Sequence, residues 1–181
     1  MYANGLQIGG NVATGSMVGP FALLNNTVAS FFLFPAGDLT QPILFNTLAF
    51  EPGSTVLVVA YIGAGGTPAL AVFRLDTASA QTQSQLIVVN ASDAPTLDVA
   101  TSSGPPASIA RGFSAQLTLP PGSKASVGDA LGATTLQAEG AASPLQSGVV
   151  YLQIAVGSVA DGSYRVITQT IDLNSVAQTM P

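Results

Sequence analysis

Short apolar runs alternate along the chain with clusters of Gly, Pro, Asn and Asp. This pattern is typical of β-strands joined by tight turns, and no strong helical periodicity accompanies it. The runs that we predict to be strands are 17–24, 28–34, 42–50, 55–62, 69–75, 84–90, 96–100, 112–119, 123–128, 133–138, 149–156 and 164–172. The pattern therefore predicts an all-β sandwich or barrel with almost no helix.

The chain also repeats itself weakly across a polar linker, "DTASAQTQSQ" at 76–85. Three pairs of segments align in the same order: 11–24 with 108–119, 51–63 with 145–157 (Gly53 over Gly148), and 67–76 with 162–172. A duplicated β module gives such a consistent order and spacing. We therefore predict two tandem immunoglobulin-like β-sandwich modules, at 1–76 and 84–181, with a linker at 77–83.

One stretch, "VVNASDAPTLDV" at 88–99, has no partner in the first half. The second module opens with it, so the first module is predicted to be incomplete at its N-terminus. Either the given chain is a mature or truncated piece, or the missing edge is supplied from elsewhere.

Three segments carry a resemblance to a known family: "LIVVNASDAPTLDV", "GFSAQLTLPPGS" and "LQSGVVYLQIAVGSVADG". They resemble the DUF4397 domain, in which a His-Ala-Ser-Pro-Asp-Ala-Pro turn follows the opening strand. Asn90 stands where the His is usual, and the Pro before Asp93 is missing. The resemblance covers 84–173 as a whole copy and 2–76 as a partial one. It implies a secreted or surface-attached prokaryotic protein, and it carries no established catalytic residues.

Charge is scarce, at 7% of residues, with four Lys/Arg against nine Asp/Glu and a net charge of −5. So few basic groups exclude nucleic acid and anionic membrane surfaces as expected partners. A surface built from Ser, Thr, Asn, Gln and Gly repels its own copies weakly, which favours self-assembly. Adaptation of a soluble protein to acid or high salt is the other explanation.

The chain has no Cys and no His. This excludes thiol catalysis, the common zinc sites and serine–histidine triads. We predict no enzyme, no cofactor and no metal. The start, "MYANGLQIGG", lacks the basic and apolar regions of a signal peptide. Residues 56–73 carry no charge, but "GAGGTP" divides them, which favours two strands over a membrane span.

Several candidate sites each have a plainer interpretation. Asp93 and Asp98 could form an acid–base pair, but a turn cap and a solvent-facing strand residue are favoured. "GAGG" at 63–66 reads as a turn because no helix or Lys-Ser/Thr completes a phosphate loop. Asp161-Gly162 predicts a hairpin turn, and no run of Asp or Asn suits calcium.

Two further patterns leave alternatives open. Asn25 and Asn90 begin formal glycosylation sequons, which also suit turns. Seven of the eight phenylalanines lie in the first half, and only Phe113 lies in the second. Packing in a core or against another copy is favoured over a sugar platform, because the chain has no Trp.

The leading hypothesis is a structural subunit of an extracellular or cell-surface filament, sheath or matrix, which polymerises through strand-edge contacts between its copies. A strand donated by a neighbour would complete the first module. The C-terminal segment 165–181 is the best internal donor, and a segment upstream of Met1 competes with it. The alternative is a monomeric secreted module that binds a glycan or a protein partner.

Overall fold

A computed structural model describes residues 2–3, 6–7, 28–35, 37–62, 67–76, 82–129, 144–158, 160 and 162–173. The elements in these ranges are all β-strands: β1 (Tyr2–Ala3), β2 (Leu6–Gln7), β3 (Val28–Leu33), β4 (Leu44–Ala49), β5 (Thr55–Ile62), β6 (Pro68–Leu75), β7 (Ser84–Ser92), β8 (Thr96–Thr101), β9 (Ala107–Ala110), β10 (Ser114–Leu119), β11 (Ala125–Asp129), β12 (Val149–Gly157) and β13 (Arg165–Asp172). The predicted all-β class is confirmed. The strands form several sheets, an arrangement consistent with a β-sandwich.

The predicted strands that fall on described residues each overlap an observed one, whereas β1, β2 and β9 were missed. These three are two to four residues long, too short for an alternating pattern to develop. The predictions at 17–24 and 133–138 lie outside the described residues. Within 56–73, residues 56–62 lie in β5 and residues 68–73 lie in β6. Within the described ranges, no helix has the length and apolar character that a membrane crossing requires.

The chain divides into two compact units. The first contains β1–β6, from Met1–Tyr61 and Pro68–Leu75. Its strands form a sheet in the order β2-β1-β3-β4 and a two-stranded sheet, β5-β6. Ala3, Ala29 and Phe31 form its buried centre, and partly buried apolar side chains pack against them: Leu48, Phe50, Val58 and Leu70.

The second unit contains β7–β13 in two sheets. One sheet has the order β10-β7-β12-β13 and the other β11-β8-β9. Buried residues from both sheets form one core: Leu86, Val88, Leu97, Val99, Ile109, Leu119, Ala125, Val127, Leu145 and Ala155. Side chains from two sheets that share a core in this way hold the layers together through apolar burial.

The central strands of the four-stranded sheet are β7 and β12, which pair in parallel from Val150↔Gln85 to Gly157↔Ser92. Leu86 and Val88 point into the shared core. Ile87 and Val89, which alternate with them, are also fully buried. β7 is therefore buried on both faces, which is why its sequence is a continuous apolar run rather than an alternating one.

β12 and β13 form the predicted hairpin, paired from Val149↔Asp172 to Val156↔Arg165. Gly157 ends β12 with φ +86, and a Cβ there would lie 2.4 Å from the carbonyl oxygen of Ser163. Only glycine fits this close approach between the two arms of the turn.

Candidate functional site

The unique stretch at 88–99 closes around the buried side chain of Asn90, at the end of β7. Its Nδ2 group donates hydrogen bonds to the carbonyl oxygens of Ala94 and Ile109, both at 3.1 Å. Its Oδ1 accepts from the backbone N–H and the hydroxyl of Ser92, at 3.3 and 2.8 Å. The Ser92 hydroxyl oxygen in turn accepts from the N–H of Ala94. Asn90 is fully buried, so these bonds replace the water that its amide loses.

Backbone hydrogen bonds attach the same stretch to the segment between β9 and β10. The N–H of Asn90 donates to Phe113, and the carbonyl of Asn90 accepts from Gly112. Arg111 donates from its backbone N–H to the carbonyl of Pro95. The stretch therefore connects β7, β8, β9 and β10, and its polar groups form the hydrogen bonds that hold these strands together.

Sequence reasoning treated Asn90 as a sequon residue and as a departure from a family pattern, and it missed this central place. A lone polar residue after the apolar run "LIVV" was the available signal. Because the Asn90 amide is fully buried and hydrogen-bonded, it is not accessible to glycosylation in the folded chain. Asn25 lies outside the described residues.

Asp93 and Asp98 are engaged by different serines. The Asp93 carboxylate accepts a hydrogen bond from the Ser158 hydroxyl at 2.5 Å, and its backbone N–H donates to the carbonyl of Gly157. The side chains of Asn90 and Ser92 form the hydrogen bonds within the turn that precedes β8. Asp98 is exposed on β8, where its carboxylate accepts from Ser108 at 2.5 Å. Each aspartate thus joins neighbouring segments of the second unit.

Two further candidate turns lie at 63–66 and 161–162 in the sequence. The "GAGG" segment at 63–66 and Asp161 lie outside the described residues, whereas Gly162 has φ +75 in the β12–β13 turn. The described part of the chain contains no group of three or more His, Cys, Asp or Glu side chains that could hold a metal ion.

The first unit carries an exposed aromatic surface on the β3–β4 hairpin, which we name the Phe45 face: Val28, Phe32, Phe34, Ile43 and Phe45. Phe32 and Phe45 are cross-strand partners with ring centroids 4.7 Å apart, and Phe34 stacks on Phe32 at 6.3 Å. Phe45 is 57% exposed and Ile43 48%. Val28 is 50% exposed, and three large apolar side chains exposed to this extent on one hairpin are typical of an interaction surface.

Asp38 is the single charged residue between 28 and 50. The Thr40 hydroxyl and the Thr40 backbone N–H both donate to its carboxylate. These two bonds, of which the hydroxyl's has the larger effect, lower the pKa of Asp38 below its ordinary value. The negative charge of this hairpin is therefore confined to its connecting turn.

Two shallow clefts lie on the surface of the described residues. The first has a volume of about 220 Å³ in the first unit, where Glu51 and Arg74 form an ion pair at its wall. The second has about 360 Å³ in the second unit and is lined by uncharged residues: Thr101, Ser103, Gly104, Pro105, Pro106, Ala107, Leu117, Thr118, Leu119 and Pro120. The charged lining of the first cleft is thus this one ion pair, and no ionisable side chain lines the second.

No protein-family model, no curated protein and no solved structure matches the chain. Function is therefore argued from its residues and their geometry.

Proposed function

We propose that the chain is a structural subunit of an extracellular or cell-surface assembly, such as a filament, sheath or matrix, whose copies associate through strand edges. The observation that carries the proposal is the place of β7 in the second unit. β7 lies between β10 and β12, and four successive side chains on it, Leu86 to Val89, are fully buried. Without it, two sheet edges and a large apolar surface would be exposed.

The first unit has no counterpart of β7 among its described strands. In the repeat alignment, β5 and β6 correspond to β12 and β13, and both pairs are two adjacent strands. β12 pairs with β7 on its second edge, whereas β5 has a single strand partner, β6, in the described residues. A strand from another copy would occupy the equivalent place beside β5.

The tandem immunoglobulin-like arrangement is part of this proposal. The aligned glycines Gly53 and Gly148 have nearly the same backbone angle, φ +73 and +77, just before β5 and β12. Burial differs, because Ala155 is fully buried and its aligned partner Ala60 is exposed. The two aligned segments are therefore alike in the backbone angle of this glycine and differ in burial. The low charge supports association between copies, and the resemblance to DUF4397 supports the extracellular location.

Only part of the segment 165–181 is available to donate a strand to another copy. Residues Arg165–Asp172 form β13, which pairs along its length with β12 of the same chain. The internal donor candidate is therefore 174–181, which lies outside the described residues. Donation from head to tail does not close on itself and builds a filament.

The test compares three purified chains: the full chain, a variant that lacks 174–181, and a control in which the same eight residues are scrambled. Light scattering and negative-stain microscopy measure assembly, and circular dichroism checks the fold. We expect the full chain to assemble and the other two to assemble less. A full chain that stays a folded monomer at high concentration would contradict the structural role and favour the monomeric binding module. Intact assembly of both variants would exclude the tail as donor.

A further inference from the structure

The edge strand β4 carries a second inference about assembly. β4 lies at the end of the sheet order β2-β1-β3-β4. It pairs with β3 through six consecutive positions, from Val28↔Ala49 to Leu33↔Leu44, with no bulge in the register. Its other edge has no strand partner in the described residues. A regular edge of this length presents backbone N–H and C=O groups in position for another strand.

β4 also lacks the features that normally protect such an edge. No charged residue and no Pro lies within Leu44–Ala49. Phe45, Asn46, Thr47 and Ala49 are exposed, so side chains on both faces of the strand are open to solvent. Proteins usually block an edge with Lys, Pro, a bulge or a very short strand.

Most of the other edges of the described sheets show such protection. β2 has two residues, β6 contains Arg74, and β13 begins at Arg165 and ends at Asp172. β11 ends at Asp129, and β9 has four residues followed by Arg111. β10 is uncharged, but its second half lines a cleft with Pro105 and Pro106. β5 is the acceptor edge proposed above. β4 is more open than β10, with four exposed residues against two.

We propose that β4 pairs antiparallel with β4 of a second copy of this chain, so that the two four-stranded sheets become one sheet of eight strands. The inference rests on the proposed function and identifies one of its contact surfaces. A second copy fits because two identical edges related by a two-fold axis match their donors and acceptors to each other.

Charge also suits a second copy. β4 brings no charge to the joint, so the net charge of −5 on each copy is not concentrated there. Glu51, two residues beyond β4, forms an ion pair with Arg74 of its own chain. Asp38 remains in the turn between β3 and β4, where Thr40 holds it. Like charges are therefore not driven together at the joint.

The Phe45 face supplies apolar area beside the joint. The exposed parts of Val28, Ile43 and Phe45, together with Leu39 at 62% exposure, offer on the order of 400 Å² of apolar surface per copy. A standard interface takes about 800 Å² from each partner. Edge pairing covers the part of this surface that lies next to β4, so the joint is smaller than a standard interface and the hydrogen-bonded backbone of β4 supplies much of it.

The first experiment uses the absence of native cysteine. Asn46→Cys places one thiol at the centre of β4, and Thr170→Cys places a matched thiol on the exposed edge strand β13. Under mild oxidation we expect a disulfide-linked dimer from Asn46→Cys, at a yield several-fold above that of Thr170→Cys. Equal yields from the two variants would overturn the pairing.

The second experiment places a charge at the same positions. Asn46→Lys would put two like charges in the joint, whereas Thr170→Lys would leave it unchanged. We expect Asn46→Lys to weaken the β4 contact at least about tenfold in sedimentation equilibrium, with an unchanged circular dichroism spectrum. Assembly of the wild-type chain together with unaltered assembly of Asn46→Lys overturns the β4 contact and leaves strand donation standing. A wild-type chain that remains monomeric overturns both.

Discussion

At the scale of single residues, one amide organises the junction of four strands. Asn90 forms four side-chain hydrogen bonds with groups that are otherwise shielded from water. A neutral amide offers donors and an acceptor without the cost of burying a charge. Asn90 therefore stabilises the stretch 88–99, which is also the part of the second half that has no partner in the first.

Asn90→Ala should lower the free energy of unfolding by about 2–5 kcal/mol, because each buried group left without a partner costs about 1–3 kcal/mol. Urea denaturation followed by circular dichroism measures the change. Gln146→Ala removes an exposed amide and is the control, with an expected change within about 0.5 kcal/mol. A loss for Asn90→Ala no larger than the control would contradict the structural role.

Asp93 connects the turn of this stretch to the loop after β12 through Ser158. Asp93→Ala should cost roughly 0.5–2 kcal/mol of stability, the scale of one partly buried hydrogen bond to a charged group. Ser158→Ala and the double variant complete a double-mutant cycle, in which we expect a favourable coupling of about 0.5–1.5 kcal/mol. Strictly additive effects would show that the two side chains do not act together.

At the scale of elements, the β12–β13 hairpin contains two glycines with positive φ in different surroundings. A Cβ on Gly157 would meet the Ser163 backbone, whereas a Cβ on Gly162 would meet nothing within 4 Å. The first position adds a steric conflict to the strain that both share. This difference separates backbone strain from packing within one turn.

Gly157→Ala should therefore destabilise the chain by about 2–4 kcal/mol, and Gly162→Ala by about 1 kcal/mol, the cost of forcing alanine into left-handed backbone. Thermal unfolding of the two variants side by side measures the difference. Equal losses would mean that the turn moves enough to relieve the contact at Gly157.

At the scale of the whole molecule, low charge and exposed strand edges act in the same direction. Thirteen ionisable acidic and basic residues among 181 leave most of the surface neutral. Association through backbone edges and apolar side chains then meets little long-range repulsion. The two contact surfaces proposed, at β5 and β4, both lie in the first unit.

Assembly should consequently be insensitive to ionic strength. We expect the size distribution from light scattering to be the same, or shifted to larger species, between 0.1 and 1 M NaCl, because salt screens exposed charge pairs and strengthens apolar contact. Dissociation at high salt would show that ion pairs hold the copies together instead.

The sequence by itself determined the features that depend on near neighbours. The all-β class, most strand positions and the β12–β13 hairpin follow from apolar runs separated by residues that favour turns, since those preferences act within a few positions. The all-neutral character of 39–50 could also be read directly, because it needs no partner to define it.

Only the tertiary structure decided which of these residues meet at a distance. The parallel pairing of β7 with β12 joins residues more than 60 positions apart, and no local preference encodes such a register. The same holds for the bond from Asn90 to Ile109 and for the burial of β7 on both faces. Burial and partner choice depend on the packing of whole layers, which is why Phe31 is buried while Phe45, fourteen residues later, is exposed.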